Sequence, residues 1–298
     1  LITAVVGAGL AGLACARAAS RAGPVVLFDK GRKPGGRLNS KRTAFGPFEL
    51  GGARLHGRDP AWARWLAELG GALAREGDGW TGVPRNVDVA RGLERGLDIR
   101  CGAPVTGLAR RSGRWSLDVG GAHVEADRVV LAVPAPQAVP LLVDAPALAR
   151  ALESVIYHPA WAAWVVAGAD PPLRPTQVED VLAEVRARAE RPGRPAGPGW
   201  EVLASPEWSR AHLEDDAGAV GERLRDALGR RLGLDLRGAS VGAHRWRYAR
   251  VVNSLGLDFL ADDRLGVFVC GDGCRGPDAG DAWVSGHRLG LHLAVGSQ

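Results

Sequence analysis

The feature that most constrains this chain is the hexapeptide Gly7-Ala8-Gly9-Leu10-Ala11-Gly12, set between a strand-like run (2–6) and a helix-like run (about 10–22). In a GxGxxG turn the three glycines have separate tasks. Gly7 permits the tight turn, Gly9 lets a pyrophosphate approach the backbone, and Gly12 lets helix and strand pack closely. The helix is rich in small residues, among them Ala14, Ala16, Ala18 and Ala19, which suits close packing on a sheet. Its N-terminus, with Leu10 and Ala11 in the first turn, offers N–H groups and a positive dipole end to phosphates. A second strand-like run (24–28) leads to Asp29, an acid able to accept from both hydroxyls of a ribose. Strand, turn, helix, strand and acid in this order predict a dinucleotide site.

The residues after Asp29 discriminate between dinucleotides. Lys33-Pro-Gly-Gly-Arg-Leu-Asn-Ser40 gives the pattern acid-x5-GGR-x2-Ser, which resembles the glutathione-reductase-type FAD fold of amine oxidases and their relatives. Gly36 lets the backbone run beside the cofactor, and Arg37 can hold a pyrophosphate in fork geometry. Arg32, Lys33 and Arg37 could instead greet the 2′-phosphate of NADP, but the Asp29 carboxylate would repel it. Near the other end, Gly266-Val-Phe-Val-Cys270-Gly271-Asp272 reads as a strand (265–270) ending in Gly-Asp, whose acid would hold a ribityl hydroxyl. A helix expected from about 281 carries Asp281, Ala282 and Trp283 at its start, where its dipole can face the flavin pyrimidine carbonyl. Lys30 and Val105 complete the expected cofactor-binding set.

The organisation between these ends is legible in outline. Asp59-Pro60 signals a helix start, followed by Trp62, Trp65, Leu66 and Leu69 at helical spacing. Strand-like runs follow at 97–101, 104–109, 114–119 and 128–133. From about 150 the texture changes: segments at 161–168, 200–204 and 240–248 look like strands of a separate sheet. Proline-rich stretches at 171–175 and 191–198 read as loops. Asp216 caps one clear amphipathic helix through Val220, Leu224, Leu228 and Leu232, which Gly233 stops. The expectation is an α/β protein: a Rossmann-like FAD domain formed by 1–58, 97–148 and 262–298, with an inserted α+β substrate domain formed by 59–96 and 149–261.

Composition excludes several other classes. The net charge of +5 is carried by scattered arginines, with only three lysines (Lys30, Lys33, Lys41) and no basic run interleaved with aromatics, so nucleic acid is not an expected partner. No apolar run approaches a membrane span. The first strand begins at once, which leaves no room for a signal peptide and makes the cytoplasm the expected location, although Leu1 is not an initiator residue. Cys15, Cys101, Cys270 and Cys274 form no CxxC pair, and the seven histidines show no ligand spacing. No metal is expected.

The chain resembles the renalase family, especially its bacterial members, over nearly its whole length. The resemblance rests on Gly7–Gly12, Gly35-Gly36-Arg37, Phe48-Glu-Leu-Gly51, Arg58-Asp-Pro60 and Gly82-Val-Pro84. It continues through Leu131-Ala-Val-Pro-Ala-Pro-Gln137, Ser205-Pro-Glu-Trp-Ser209, His244-Arg-Trp-Arg-Tyr-Ala249 and Cys270-Gly-Asp272. It implies non-covalent FAD and an oxidase that passes electrons to O2 with release of H2O2, acting on isomers of NAD(P)H. Two departures bear on substrate. Gly52-Ala53-Arg54-Leu55-His56 replaces the family's Ala-Gln-Tyr-Phe-Thr beside the isoalloxazine, and Gly273 replaces a tryptophan.

On this reading Gly52, Ala53 and Arg54 touch the cofactor, while Arg54, His56, Trp246 and Tyr248 form the catalytic set. Trp246 and Tyr248 share a strand face with His244, which either lines the flavin pocket or packs on the cofactor domain. Trp161, Trp164, Trp200 and Trp208 are read as core. Two other readings are compatible with the sequence: an amine oxidase or desaturase of the same fold, and a flavoprotein that only senses redox state. Amine oxidases commonly carry a substrate-domain lysine bridged by water to the flavin, and this chain has no lysine beyond Lys41.

Overall fold

The computed structural model describes residues 1–51, 54–168, 180–193 and 199–295. Its central element is a six-stranded sheet. β1 (Thr3–Val6) leads through the glycine turn into α1 (Leu10–Ala19) and back into β2 (Val25–Asp29), so that β1 and β2 pair in parallel from Thr3↔Val25 to Val6↔Phe28. The opposite edge of β1 pairs in parallel with Arg128–Leu131, which in turn pairs with Val267–Val269. Asp98–Cys101 flanks β2, and only the edge strand Leu260–Asp262 runs antiparallel. Strands from the start, middle and end of the chain therefore lie side by side, and the carboxyl ends of β1, β2 and Val267–Val269 open onto one edge. Ligands of open α/β sheets bind at such an edge.

α1 ends at Ala19, three residues short of the expected boundary. The chain must reverse through Arg21–Gly23 to enter β2 at the proper register, and the Ser20 N–H bonds back to Ala16 to close the last turn. α1 is buried on nearly every face because a second helix, Ala279–Val295, crosses it at backbone contact. A side-chain carbon at Gly286 would stand 1.9 Å from the Ala11 carbonyl oxygen, and one at Gly290 would stand 2.4 Å from that of Cys15. Small residues on both helices are thus the condition for the crossing. The thiols of Cys15, Cys270 and Cys274 are buried in the surrounding core, and all four cysteines are free.

A second, four-stranded antiparallel sheet has the order Leu182–Ala187, Trp200–Ala204, Ile156–Val166, Ser240–Asn253. One face, with Trp161, Ala163, Val165, Trp200 and Val202, packs on the helix Ala217–Leu232. The Asp216 side chain caps that helix by accepting from the Gly218 and Ala219 N–H groups, and Gly233 ends it at φ 67°. On the other face Ala162, Trp164, Leu203 and Trp246 meet Phe48 and Leu50 from the hairpin Ser40–Thr43/Gly46–Glu49.

The strand Leu182–Ala187 was not anticipated. Its Ala-Glu-Val-Arg-Ala composition favours helix in isolation, and cross-strand pairing with Trp200–Ala204 overrides that preference. The strand Ala122–Ala126, third in a small sheet with Val105–Arg111 and Arg114–Val119, is likewise too polar to stand out. The proline-rich 171–175 and most of 191–198 lie outside the described residues.

Candidate active site

The glycine turn is built as its sequence requires. Gly7 has φ 103°, and a side-chain carbon there would meet the Ala132 carbonyl oxygen at 2.5 Å; one at Gly12 would meet the Gly7 oxygen at 1.9 Å. Gly9 is different, since no described atom lies within 4 Å of where its side chain would start. Gly9 is also the N-cap of α1 and supplies no capping side chain. The first-turn N–H groups at Leu10 and Ala11 have no acceptor within the helix, and the missing side chain of Gly9 leaves open space beside them. Gly36 (φ 53°) approaches the Gly9 backbone, placing the Gly35-Gly36-Arg37 loop against the same opening. This is the shape and polarity a pyrophosphate needs.

Asp29 sits at the carboxyl end of β2, half-buried. Its two oxygens accept from the Ala8 and Gly31 N–H groups, both at 2.6 Å. The carboxylate therefore braces the glycine turn itself, and each oxygen keeps a lone pair for a ribose hydroxyl. Lys30 beside it is exposed, and Val105 opens the strand that follows the Gly102-Ala103 connection, whose N–H groups bond to Gly31 and Asp29 carbonyls.

Arg37 reaches across the molecule. Its Nη1 donates to Asp272 Oδ2 at 2.7 Å and to the carbonyls of Ala249 (3.0 Å) and Tyr248 (3.4 Å). Burial works against its charge, and the Asp272 carboxylate more than offsets this, so its pKa is raised. Among the described residues nothing accepts from Nε or Nη2, which leaves two donors for a ligand. Asp272 is buried, starts the short helix Asp272–Arg275, and follows Gly271 at φ 135° with no atom within 4 Å of its missing side chain. Its second oxygen accepts from the Tyr157 hydroxyl at 3.3 Å. The two chain ends thus meet in one arginine–aspartate pair.

The helix Ala279–Val295 begins against the loop that follows Gly51: the Gly280 N–H donates to the His56 carbonyl at 2.7 Å. Asp281 is half-buried, accepts from the Asp278 N–H and lies 3.4 Å from Arg275; burial raises its pKa. Ala282 is partly buried. The Trp283 indole stacks between Trp65 (centroids 5.0 Å apart) and His287 (4.6 Å), and its buried Nε1 has no hydrogen-bond partner among the described residues. Arg275 and Arg288 both bind the Asp59 carboxylate, at 2.7 and 2.8 Å, and both pair with Asp258. That network ties the start of the helix Pro60–Leu69 to the start of Ala279–Val295.

Gly52 and Ala53, expected at the cofactor, lie outside the described residues, whereas Arg54 and His56 of the expected catalytic set both approach Asp78. Arg54 Nη2 donates to Glu184 Oε1 at 2.6 Å, and its Nη1 lies 3.9 Å from Asp78; His56 Nδ1 lies 3.8 Å from Asp78. Glu184 also takes two bonds from Arg186. Burial opposes its ionisation, but the two arginines prevail and hold its pKa at about 2. Trp246 donates from its indole to the Leu50 carbonyl and covers Gly51. Tyr248 meets Tyr157 edge-on at 5.8 Å. Their strand neighbours Arg245 and Arg247 point the other way and clamp Glu214. Glu184 and Tyr157 were missed from sequence; the chain's having only two tyrosines was the available hint for the latter.

Two family models match the chain. Residues 5–69 match an NAD(P)-binding Rossmann-like domain, and residues 77–288 match the flavin containing amine oxidoreductases. The second match spans most of the sequence, so the chain belongs to the flavin-containing amine oxidoreductase family. It is a flavoprotein oxidoreductase with FAD as cofactor. Solved structures of similar fold include a protein from Exiguobacterium sp. 255-15 assigned as a protoporphyrinogen oxidase, with TM-score 0.75, 14% identity and 99% of each chain covered. A putrescine oxidase variant matches with TM-score 0.63 and 13% identity over 100% of this chain and 99% of that one. AlpK matches with TM-score 0.56 and 20% identity; 99% of this chain is covered, but only 62% of AlpK. At these identities the likeness is one of fold. Among the described residues no helix is long and apolar enough to cross a membrane, and no cluster of potential metal ligands occurs.

Proposed function

We propose that this protein is a renalase-like oxidase that takes hydride from an isomeric dihydronicotinamide, or a related donor, and passes the electrons to O2 to give H2O2. FAD, bound without a covalent link, supplies the two-electron acceptor. The cofactor domain is read as 1–58, 97–148 and 262–298, and the substrate domain as 59–96 and 149–261. The residues that would hold FAD are Gly9, Leu10 and Ala11 at the pyrophosphate, with Asp29 at the ribose and Arg37 and Asp272 farther along. The Cys274 thiol is buried and its pKa raised chiefly by that burial, which keeps it from the thiolate form that attachment to a flavin would use.

The observation that carries the substrate reading is the placement of the lysines. Lys30, Lys33 and Lys41 are all exposed, and none is on the four-stranded sheet. A dihydropyridine gains aromaticity when it loses hydride, so it needs little help from a base. Holding its donor carbon in place is most of the task, and Arg54 and His56 are suited to its carboxamide, ribose or phosphate. One observation favours amine oxidation instead: Glu184 and Asp78 beside Arg54 are carboxylates that would attract a cation.

Anaerobic mixing separates the two. With the proposed activity, a mixture of NADH isomers bleaches the yellow protein under nitrogen, and air restores the colour with release of peroxide. Bleaching by amines alone would overturn the substrate assignment and leave cofactor and fold untouched.

A further inference from the structure

We infer that Tyr157, on the first long strand of the substrate sheet, is a positioning residue for the cofactor-binding carboxylate of Asp272, and that residue 273 is glycine to admit its hydroxyl. The inference rests on FAD being held at Asp272, as proposed above. Tyr157 lies 115 positions before Asp272, in the strand Ile156–Val166, and its hydroxyl donates to Asp272 Oδ1 at 3.3 Å. Arg37 takes the other oxygen at 2.7 Å. Asp272 is therefore held from both sides, once from the GGR loop and once from the substrate sheet.

The phenol has little freedom to leave. Its ring meets Tyr248 edge-on at 5.8 Å, and the Ala135 N–H faces its oxygen. Burial, and after it the Asp272 charge, raises the Tyr157 pKa, so the hydroxyl keeps its proton and remains a donor. The space for that hydroxyl exists only because of Gly273. A side-chain carbon at 273 would stand 2.8 Å from the Tyr157 oxygen and 3.3 Å from Val155 Cγ1, while the ring carbon bearing the oxygen is 3.8 Å away. The severe clash is thus with the hydroxyl, while Val155 Cγ1 need give by only a few tenths of an ångström. Removing the hydroxyl and adding a carbon at 273 should be alternative ways of breaking one contact.

A consequence is that the two sheets are joined at the cofactor. An Asp272 carboxylate whose direction is fixed by Tyr157 presents its remaining lone pairs to a ribityl hydroxyl at one angle. Without the phenol, only Arg37 orients it.

The test is a double-variant cycle on the holoenzyme, read as the rate of FAD release on dilution, from the recovery of free flavin fluorescence. Tyr157→Phe should speed release about 3–10-fold, the worth of one neutral-donor hydrogen bond. Gly273→Ala should do the same in the parent, yet change release by less than about 1.5-fold in the Tyr157→Phe background, because the clashing atom is gone. Thermal midpoints of the flavin-free proteins, measured alongside, separate this from a loss of folding, and so does the absorption spectrum of the FAD that remains bound. Effects that multiply in the double variant, or a Tyr157→Phe protein that releases FAD like the parent, would overturn the inference. A parent protein that never carries FAD would instead overturn the cofactor placement on which it rests.

Discussion

Two residues proposed to meet the ligands, Asp29 and Arg54, also have partners within the protein. Asp29 was expected to meet a ribose; it also fastens the Ala8 and Gly31 N–H groups at 2.6 Å. Asp29→Ala therefore removes a ligand contact and leaves two backbone donors without their acceptor. FAD affinity should fall about tenfold to a hundredfold, from loss of charge-assisted bonds worth about 1.5–3 kcal/mol, and the flavin-free protein should melt earlier as well. A titration with FAD and a melt of the apoprotein check the two parts. Arg54 differs because its partner Glu184 is partly exposed, so the pair itself is worth only about 0–1 kcal/mol. Arg54→Ala should leave FAD bound and the melting temperature nearly unchanged, while anaerobic flavin bleaching by the donor slows about tenfold or more. Unchanged bleaching would remove Arg54 from the substrate site.

At the scale of elements, the sequence was most informative where geometry admits one solution. The glycine turn, the Asp59 and Asp216 caps and the Gly233 stop were readable because backbone N–H groups and left-handed turns accept few residue types. Less legible were the strands Leu182–Ala187 and Ala122–Ala126, whose place depends on neighbours distant in sequence. The α1 crossing belongs between these cases: its alanines signalled close packing, but not that Gly286 and Gly290 were the partners. Gly286→Ala would drive a methyl group into the Ala11 carbonyl, and backbone on both sides cannot yield. The helices must separate, at a cost of about 1–3 kcal/mol or more, and the first turn of α1 moves with them. Lower stability together with weaker FAD binding is the expected result. Gly92, exposed within the helix Asn86–Glu94 with no atom within 4 Å of its missing side chain, supplies the contrast. Gly92→Ala should stabilise by about 0.4–1 kcal/mol in a urea titration.

For the whole molecule, the junction between the four-stranded sheet and the hairpin Ser40–Thr43/Gly46–Glu49 is a matter of charge as well as packing, which the sequence did not disclose. Glu49, Glu201 and Arg191 are buried there, with the Glu49 N–H donating to Glu201 at 2.6 Å and Arg191 to Glu201 at 3.1 Å. The sequence showed the arginines only as scattered; Arg191 shows that tertiary pairing carries some of them inside. The acids at this junction respond to pH in opposite senses. Burial raises the pKa of Glu201, so its ionisation costs stability at neutral pH, and acidification through that raised value relieves the cost. Glu184 is the reverse, lowered from 4.5 to about 2 by Arg186 and Arg54 against the pull of burial. Its contribution is complete above the unfolded-chain value of 4.5 and is lost as pH falls towards 2. Glu184→Gln abolishes that titration. Urea unfolding of the parent and of Glu184→Gln should therefore show the largest gap in midpoint at neutral pH, a narrowing gap below about pH 4.5, and near-coincidence around pH 2. A gap that stays constant across this range would mean that Glu184 is as well paired in the unfolded chain as it is with Arg186 and Arg54 in the folded one.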